Sequence, residues 1–280
     1  MKIAISGFNG FIGKHLCTSL EEENHDLIKI SRTQGLDLSD STILSKIPKF
    51  DLFIHLAANS FVPDSFNKPH EFYRNNILST LNALELCKKY NAKFYFFSSY
   101  VYGRPSYLPI DENHPISSIN PYAESKIICE RLCMAYSRDF GVPVTIFRPF
   151  NIYGKGQNES FIIPTIIEKS KTGIVELKDS RPKRDFIHVK DIVVAILNAI
   201  KLNKEGVNIY NLGYGESFAI SDIINIIKQV TKSEFRVSYS EERRPNEVLD
   251  TVSNIDKAKK DLGWTPKIDL LTGIKDILSI

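Results

Sequence analysis

The stretch KIAISGFNGFIG, residues 2–13, is the part of the sequence that decides the fold. It opens with the apolar run Lys2–Ser6, which is typical of a buried strand. Three glycines follow, each three residues from the next, and a helical pattern covers residues 13–23. Such a turn lets a pyrophosphate approach the backbone, and the helix N-terminus supplies N–H donors and positive potential. The stretch predicts a dinucleotide site, against the alternative of a glycine turn needed only for packing. Its contact residues would be Gly7, Phe8, Asn9, Gly10, Phe11, Ile12 and Gly13.

The first half of the chain alternates strand and helix patterns. Strands are predicted at Asp26–Ile30, Leu52–Leu56, Lys93–Phe97 and Val142–Phe147, and helices at Ile77–Tyr90 and Tyr122–Phe140. Strands separated by helix-length crossovers imply a parallel sheet with helices on both faces. We therefore predict an α/β fold, a doubly wound parallel sheet of the Rossmann type.

The pattern loosens after about Asn151. Helices are predicted at Phe161–Lys171, Val189–Leu202, Ile220–Thr231 and Asn254–Leu262, and strands at Val175–Leu177, Ile209–Leu212 and Phe235–Tyr239. We expect two interleaved domains. Residues 1–152 with 184–212 would bind the dinucleotide, and residues 153–183 with 213–280 would form a smaller mixed α/β region for the substrate.

The composition excludes several classes of protein. The 280 residues are 42% hydrophobic and 25% charged, which is ordinary for a globular chain, and the net charge of +3 gives no case for nucleic-acid binding. No apolar run is long enough to span a membrane, and no secretory segment opens the chain. The four cysteines form no CxxC pair and no metal-ligand spacing, so they are interpreted as reduced thiols of a cytoplasmic protein.

Ser31 and Arg32 directly follow the second predicted strand, and this position bears on cofactor choice. NAD sites usually carry an acidic residue here, which binds the ribose hydroxyls. A serine does not repel a 2′-phosphate, and a guanidinium can bind one. The pair favours NADP, while NAD stays possible if Arg32 is only a solvated loop residue.

A YxxxK pattern, Tyr122 to Lys126, marks a candidate catalytic site. Residues i and i+4 share one helix face, so the phenol and the ammonium would lie together. A nearby positive charge favours phenolate, and we expect it to lower the pKa of Tyr122 so that the phenol exchanges protons near neutral pH. Ser98 and Ser99 end the strand before this helix, at the sheet edge where parallel-sheet enzymes hold their chemistry. Either serine could instead serve only as a strand-end or capping residue.

The chain resembles the extended short-chain dehydrogenase/reductases, in particular the group of nucleotide-sugar epimerases, dehydratases and reductases. The resemblance covers nearly the whole chain. It rests on GFNGFIG (7–13), HLAA (55–58), NILSTLNALE (76–85), SSYVYG (98–103), PYAESK (121–126), RPFNIYGKGQ (148–157), RDFIHVKDI (184–192), RRPNEV (243–248) and LGWTP (262–266).

The resemblance implies roles for individual residues. Ser98 and Tyr122 would be the catalytic hydroxyls, and Lys126 would bind the nicotinamide ribose and tune Tyr122. The adenine end would meet Asp37 and Leu38. Further cofactor contacts would come from Leu56, Ala57, Ala58 and Asn76. The substrate, a nucleoside-diphosphate sugar, would contact Ser99, Asn151, Arg184 and Arg244, the two arginines on its diphosphate.

The resemblance leaves two main reactions open, a 4-ketoreduction and a 4-epimerisation. Dehydratases of the group carry an Asp-Glu pair where this chain has Ser99-Tyr100, so 4,6-dehydration is not expected, and the epimerase–reductases use a cysteine there. An NADPH-dependent 4-ketoreductase of a 4-keto-6-deoxyhexose is favoured by Ser31-Arg32 and the short chain. An NAD-dependent 4-epimerase is the alternative, another carbonyl substrate is a third, and a non-catalytic NAD(P)-sensing protein would not need the set Ser98, Tyr122 and Lys126.

The resemblance also implies a homodimer through a four-helix bundle. The helices predicted at residues 76–90 and 122–140 should carry more apolar surface than one sheet face covers. The candidates for this excess are Leu81, Leu84, Cys87, Ile128, Leu132 and Tyr136.

Overall fold

A six-stranded sheet forms the centre of the computed structural model, which describes residues 1–240, 242 and 247–280. Its strands are β1 (Lys2–Ser6), β2 (Asp26–Ile30), β3 (Leu52–His55), β4 (Lys93–Phe97), β5 (Val144–Pro149) and, later in the chain, β9 (Val207–Leu212). The strand order is β2-β1-β3-β4-β5-β9, and the pairs from β2 to β5 are parallel. The predicted doubly wound α/β fold is confirmed.

Helices connect these strands. They are α1 (Phe11–Glu22), α2 (Val62–Asn67), α3 (Pro69–Tyr90) and α4 (Pro121–Phe140). Strands β3 and β4 are apolar because both faces are covered, and every residue of β3 is buried. Helix α3 starts at Pro69, earlier than predicted. Its first turns are polar and therefore show no apolar helical pattern, whereas proline is well suited to a first helical position.

The rest of the chain forms smaller sheets and helices. Strands β6 (Asn151–Tyr153), β8 (Lys183–His188) and β10 (Ser217–Ala219) form one sheet, and β7 (Ile174–Leu177) pairs with β11 (Arg236–Tyr239). The helices are α5 (Ile162–Ser170), α6 (Val189–Leu202), α7 (Ile220–Thr231), α8 (Asp256–Leu262) and α9 (Leu270–Leu278). The sequence patterns do not predict α2, β6, β8, β10 and α9. Strands β6 and β10 have only three residues each, and α9 contains Gly273, a weak helix former.

The chain divides into two compact units. Unit 1 comprises residues 1–103, 115–149 and 196–210, and unit 2 comprises residues 104–114, 150–195 and 211–280. These boundaries differ from the expected ones mainly at 104–114 and 184–195. Ile110 forms a bridge with Ser253, and β8 pairs with β6 and β10, which ties both segments to unit 2.

Helices α3 and α4 pack against each other within unit 1. Leu84 and Cys87 are fully buried in the core of this unit, and Tyr136 is 8% exposed, so these three side chains do not supply the excess apolar surface expected of them. Leu81, Ile128 and Leu132 are half-buried and remain accessible. No helix in the described ranges combines the length and apolar character needed to cross a membrane.

Candidate active site

The glycine turn lies in backbone contact with the end of β3. Gly7 has a φ of +71°, and a Cβ there would lie 2.8 Å from the backbone nitrogen of Ala57. A Cβ on Gly13 would lie 2.2 Å from the carbonyl oxygen of Gly7. Neither position has room for a side chain, and the first turn of α1 carries no acidic residue that would occupy its N–H groups. The turn is therefore open to an anion, as a dinucleotide pyrophosphate requires.

The end of β2 is joined to this turn through side chains. Asn9 Nδ2 donates to Thr33 Oγ1 at 3.4 Å, and the hydroxyls of Ser31 and Thr33 are 2.7 Å apart. Arg32 begins a short 3-10 turn that ends at Gly35, and its side chain is exposed. The predicted residues of the two segments thus border one surface, with Arg32 at its rim.

The other predicted cofactor residues are held by local hydrogen bonds. Asp37 accepts from the backbone nitrogen and the hydroxyl of Ser39, both at 2.9 Å, and Leu38 is 4% exposed. Asn76 is buried. It accepts from the Asn59 nitrogen at 2.8 Å and donates to the Asn59 oxygen and to Ser125 Oγ. The amide of Asn76 thereby links the segment after β3 to the turn of α4 between Tyr122 and Lys126.

Ser98 follows β4 directly, as predicted. Its backbone nitrogen donates to the Phe147 oxygen at 2.8 Å, which fixes the residue to β5. The Ser98 hydroxyl is buried and has no hydrogen-bond partner among the described residues. Burying a hydroxyl without a hydrogen-bond partner costs free energy, so a ligand oxygen bound at this place would satisfy the Ser98 hydroxyl.

Tyr122 lies in the first turn of α4. Asn120 caps the helix by accepting from the Ala123 nitrogen at 2.7 Å, and Pro121 takes the first helical position. The Tyr122 ring meets Phe72 edge to face at 6.5 Å. Burial raises the pKa of the phenol to about 12, and a hydrogen bond from Ser99 opposes that rise. The expected lowering of this pKa by Lys126 is wrong for the free protein, because desolvation dominates.

Lys126 is buried one turn further along α4. Its Nζ donates to the Phe97 oxygen at 2.7 Å and lies 4.8 Å from the centre of the Phe96 ring. Burial lowers the pKa of this ammonium to about 8. The end of β4 thus brings together Ser98, Tyr122 and Lys126. Tyr122 is hydrogen-bonded to Ser99, and Lys126 donates to the Phe97 oxygen.

A buried histidine lies beneath the glycine turn. His55 Nδ1 is 2.7 Å from Ser6 Oγ, its Nε2 is 3.4 Å from Ser79 Oγ, and Ser6 Oγ accepts from the Ala57 nitrogen. Burial, with the charge of Lys126 as a second cause, lowers the pKa of His55 to about 3. The ring is neutral and joins the ends of β1 and β3. The HLAA motif was the only signal of this role in the sequence.

Two predicted substrate residues lie in unit 2. Asn151 donates to the Asp185 oxygen at 3.2 Å. Arg184 forms an ion pair with Glu247 and donates to the Val248 oxygen at 2.7 Å. Glu247 also lines an open pocket of about 720 Å³, whose other walls are residues 104–108, Arg181 and residues 248–250. Arg244 falls outside the described residues.

Asp185 is a buried carboxylate that the sequence analysis does not single out. It accepts hydrogen bonds from the backbone nitrogens of Tyr214, Gly215 and Ser253 and from the Ser253 hydroxyl, at 2.5 to 3.0 Å. A Cβ on Gly213 would lie 2.7 Å from the same carboxylate. This one side chain therefore joins two other segments of unit 2, at residues 214–215 and at Ser253, to β8 next to Arg184.

A profile of the NAD-dependent epimerase/dehydratase family matches residues 3–213. The chain belongs to this family. It is therefore an enzyme of the nucleotide-sugar epimerase and reductase type, and it uses a nicotinamide cofactor. The family match spans both the glycine turn and the YxxxK helix.

The chain is similar to relatives of two activities, a reductase and several 4-epimerases. The GDP-6-deoxy-D-mannose reductase of Pseudomonas aeruginosa is 30% identical over 99% of this chain and 96% of its own length. Bacterial UDP-glucose 4-epimerases match over a similar range at 27–30% identity.

Solved structures of the family have the same fold. The UDP-glucose 4-epimerase of Thermotoga maritima, in a structure with UDP-glucose, superposes with a TM-score of 0.94 at 26% identity, covering 100% of this chain and 98% of the other. The RMD protein of Pseudomonas aeruginosa, in a complex with NADPH, superposes with a TM-score of 0.91 at 30% identity, covering 99% and 97%.

Proposed function

We propose that this enzyme is an NADPH-dependent 4-ketoreductase of a nucleoside-diphosphate 4-keto-6-deoxyhexose. The end of β2 carries the proposal, because Ser31 and Arg32 stand where NAD-preferring sites place a carboxylate. Arg32 is exposed, and no hydrogen bond or ion pair to another described residue holds its side chain. A guanidinium in this state can form two charge-assisted hydrogen bonds to a 2′-phosphate.

The residues present fit a nicotinamide dinucleotide. The glycine turn and the N-terminus of α1 would hold the pyrophosphate, and Lys126 would bind the nicotinamide ribose. The cofactor, when bound, supplies hydride to the substrate carbonyl carbon. The Ser98 hydroxyl would donate a hydrogen bond to the carbonyl oxygen. Tyr122, with a pKa of about 12, is protonated at neutral pH and would give its proton to that oxygen, leaving the alcohol.

The substrate end supports a nucleoside-diphosphate sugar. Arg184 lies on β8 two residues before Phe186, which is the register partner of Asn151 on β6, so the guanidinium and the amide belong to one small sheet. Ser99 and Tyr100 carry no carboxylate for proton removal at C5, which speaks against a dehydratase. We propose that Arg184 exchanges its pair with Glu247 for the diphosphate, and that Arg244 assists it.

An NAD-dependent 4-epimerase is the second candidate, supported by the similar UDP-glucose 4-epimerases. Cofactor exchange distinguishes the reductase from the epimerase. A reductase releases its cofactor and oxidises NADPH stoichiometrically with GDP-4-keto-6-deoxymannose, measured at 340 nm. An epimerase purifies with tightly bound NAD and interconverts UDP-glucose and UDP-galactose without added cofactor. The second result would overturn the proposal.

Arg32→Ala tests the cofactor assignment. Loss of a charge-assisted hydrogen bond, about 1.5–3 kcal/mol, should weaken NADPH binding by about 10- to 150-fold and leave NADH binding nearly unchanged. Arg74→Ala, an exposed arginine on α3, is the control. Equal losses for the two cofactors would show that Arg32 does not bind the 2′-phosphate. In parallel, Tyr122→Phe should keep NADPH affinity and lose most turnover.

We also propose a homodimer through α3 and α4, supported by the half-buried apolar side chains of Leu81, Ile128 and Leu132. Light scattering should give twice the chain mass at micromolar concentration. Leu81→Glu with Leu132→Glu should give monomers, whereas Leu202→Glu, an exposed site on α6, should not. A wild-type mass of one chain would reject the dimer.

A further inference from the structure

An arginine is completely buried in unit 1 behind the candidate active site. The side chains of Arg148 on β5 and Glu130 on α4 are each 1% exposed. The guanidinium donates two hydrogen bonds to the carboxylate in a bidentate pair, from Nε to Oε1 at 3.0 Å and from Nη2 to Oε2 at 2.6 Å. Its remaining arm, Nη1, donates to the Tyr102 hydroxyl at 3.0 Å, and the guanidinium lies 5.1 Å from the centre of that ring. Tyr102 is also 1% exposed.

Glu130 and Tyr102 lie on the two segments that carry the candidate catalytic groups. Glu130 is four residues after Lys126 and eight after Tyr122, so the three share one face of α4. Tyr102 is four residues after Ser98, in the tight segment where the Val101 nitrogen donates to the Ser99 oxygen. The carbonyl oxygen of Phe147, the residue before Arg148, accepts a hydrogen bond from the Ser98 nitrogen. Strand β5 therefore holds Ser98 through its backbone, and it holds α4 and the segment after Ser98 through the Arg148 side chain.

Stability alone does not account for such an arrangement. Desolvating two charges costs about as much as their attraction returns, and apolar residues of similar volume are often neutral or more stabilising in their place. What an arginine fork supplies instead is geometry, because two parallel hydrogen bonds fix the orientation of both groups. Placement of reacting groups is sensitive to shifts of about 1 Å, which can cost a hundredfold in rate.

We infer that Arg148 is a positioning residue for the hydride-transfer site. Through Glu130 it fixes the depth and rotation of α4, and through Tyr102 it fixes the segment that follows Ser98. The spacing between the Ser98 hydroxyl and the Tyr122 phenol is set by this bridge. Arg148 itself touches no substrate. The inference deepens the proposed function, but it concerns geometry that would serve either a reductase or an epimerase.

Variants that remove the bridge without leaving an unpaired charge test the inference. The triple variant Tyr102→Phe/Glu130→Leu/Arg148→Met replaces all three polar ends with apolar groups. Tyr102→Phe alone removes one hydroxyl, and Arg148→Lys keeps the charge but loses the fork. Arg138→Lys is the control, since Arg138 makes an exposed pair with Asp139 on the same helix.

Four measurements are compared with wild type: urea midpoint, NADPH affinity by fluorescence, steady-state kinetics and amide hydrogen exchange. We expect the triple variant to fold with an unchanged or higher midpoint and to bind NADPH within threefold. Its kcat should fall at least tenfold with little change in KM. Exchange in residues 98–103 should speed up at least tenfold, with β1 and β3 unchanged. Arg148→Lys should do the same, and Tyr102→Phe should lower kcat about threefold.

The inference is overturned if the triple variant keeps the wild-type kcat, or if it fails to fold, since stability would then be the role of the bridge. If wild type turns over neither candidate substrate, the proposed function fails and hydrogen exchange decides. Unchanged exchange in residues 98–103 would then reject the positioning role by itself.

Discussion

Replacing Lys126 with methionine should make the protein more stable and inactive at once. Lys126 is 3% exposed, and burial moves the pKa of its ammonium from 10.5 to about 8. At 1.36 kcal/mol per pKa unit, holding this charge inside the folded protein costs about 3 kcal/mol at neutral pH. Methionine fills similar space without a charge, but leaves the Phe97 oxygen without its donor, at a cost of about 1 kcal/mol. The net expectation is a gain of about 2 kcal/mol at pH 7.

The pH dependence gives this prediction a sign that packing changes do not share. The folded pKa lies below the unfolded one, so the cost of the charge is complete below pH 8 and absent above pH 10.5. The advantage of Lys126→Met over wild type should therefore shrink through that window and end as a deficit of about 1 kcal/mol, the orphaned carbonyl alone.

Urea unfolding of wild type and variant at pH 7, 8, 9 and 10, followed by circular dichroism, measures the difference. Lys49→Met, at an exposed lysine in a loop, should track wild type at every pH. A variant less stable than wild type at pH 7, or a difference that stays constant from pH 7 to 10, would refute the reasoning. Loss of turnover together with gained stability would show that this site holds a charge at the expense of the fold.

Three further expectations concern buried groups. His55→Asn should remove an acid sensitivity: the folded pKa of about 3 lies below the unfolded 6.5, so wild type should lose about 3 kcal/mol relative to the variant between pH 7.5 and 4.5 in urea titrations, with exposed His70→Asn as the control. Gly13→Ala should weaken cofactor binding at least tenfold in a fluorescence titration, and Gly10→Ala should weaken it less, because its Cβ meets its nearest atom at 3.2 Å rather than 2.2 Å. Asp185→Asn should lower the free energy of unfolding by about 2–4 kcal/mol in urea, since an amide nitrogen cannot accept the hydrogen bonds that the carboxylate accepts; a loss under 1 kcal/mol would contradict this.

Local signals were enough for the parts of the fold that repeat a pattern. Strands β1, β2 and β4 and helices α6 and α7 have the predicted boundaries. Short segments rich in apolar and β-branched residues predict the strands, and the helical spacing of isoleucine and valine predicts the helices. The edges of α1, α4 and α5 shift by one or two residues. Strands β6, β8 and β10 form because segments distant in sequence meet, which a local pattern does not encode.

The candidate site divides in the same way. Tyr122, Lys126 and the glycine turn follow from spacing, since a helix face and a strand end fix their positions. The pKa of Tyr122 does not follow, because it depends on how much water surrounds the phenol. The burial and pairing of three charged residues could not be predicted for a related reason; these are Glu130, Arg148 and Asp185. A single charged residue looks like surface until the fold shows that it is buried and paired.

The bridge between Ile110 and Ser253 has a consequence for the order in which the chain can fold. Ile110 donates to the Val252 oxygen and accepts from the Asn254 nitrogen, at 2.7 Å each. Residues 104–114 are therefore synthesised long before residues 252–254, with which Ile110 forms its hydrogen bonds. All of unit 1 has been synthesised once residue 210 is added. Fragments that stop short of residue 254 would expose an unpaired segment in the middle of the chain. A shortened chain meant to isolate unit 1 should therefore replace residues 104–114 with a short polar turn.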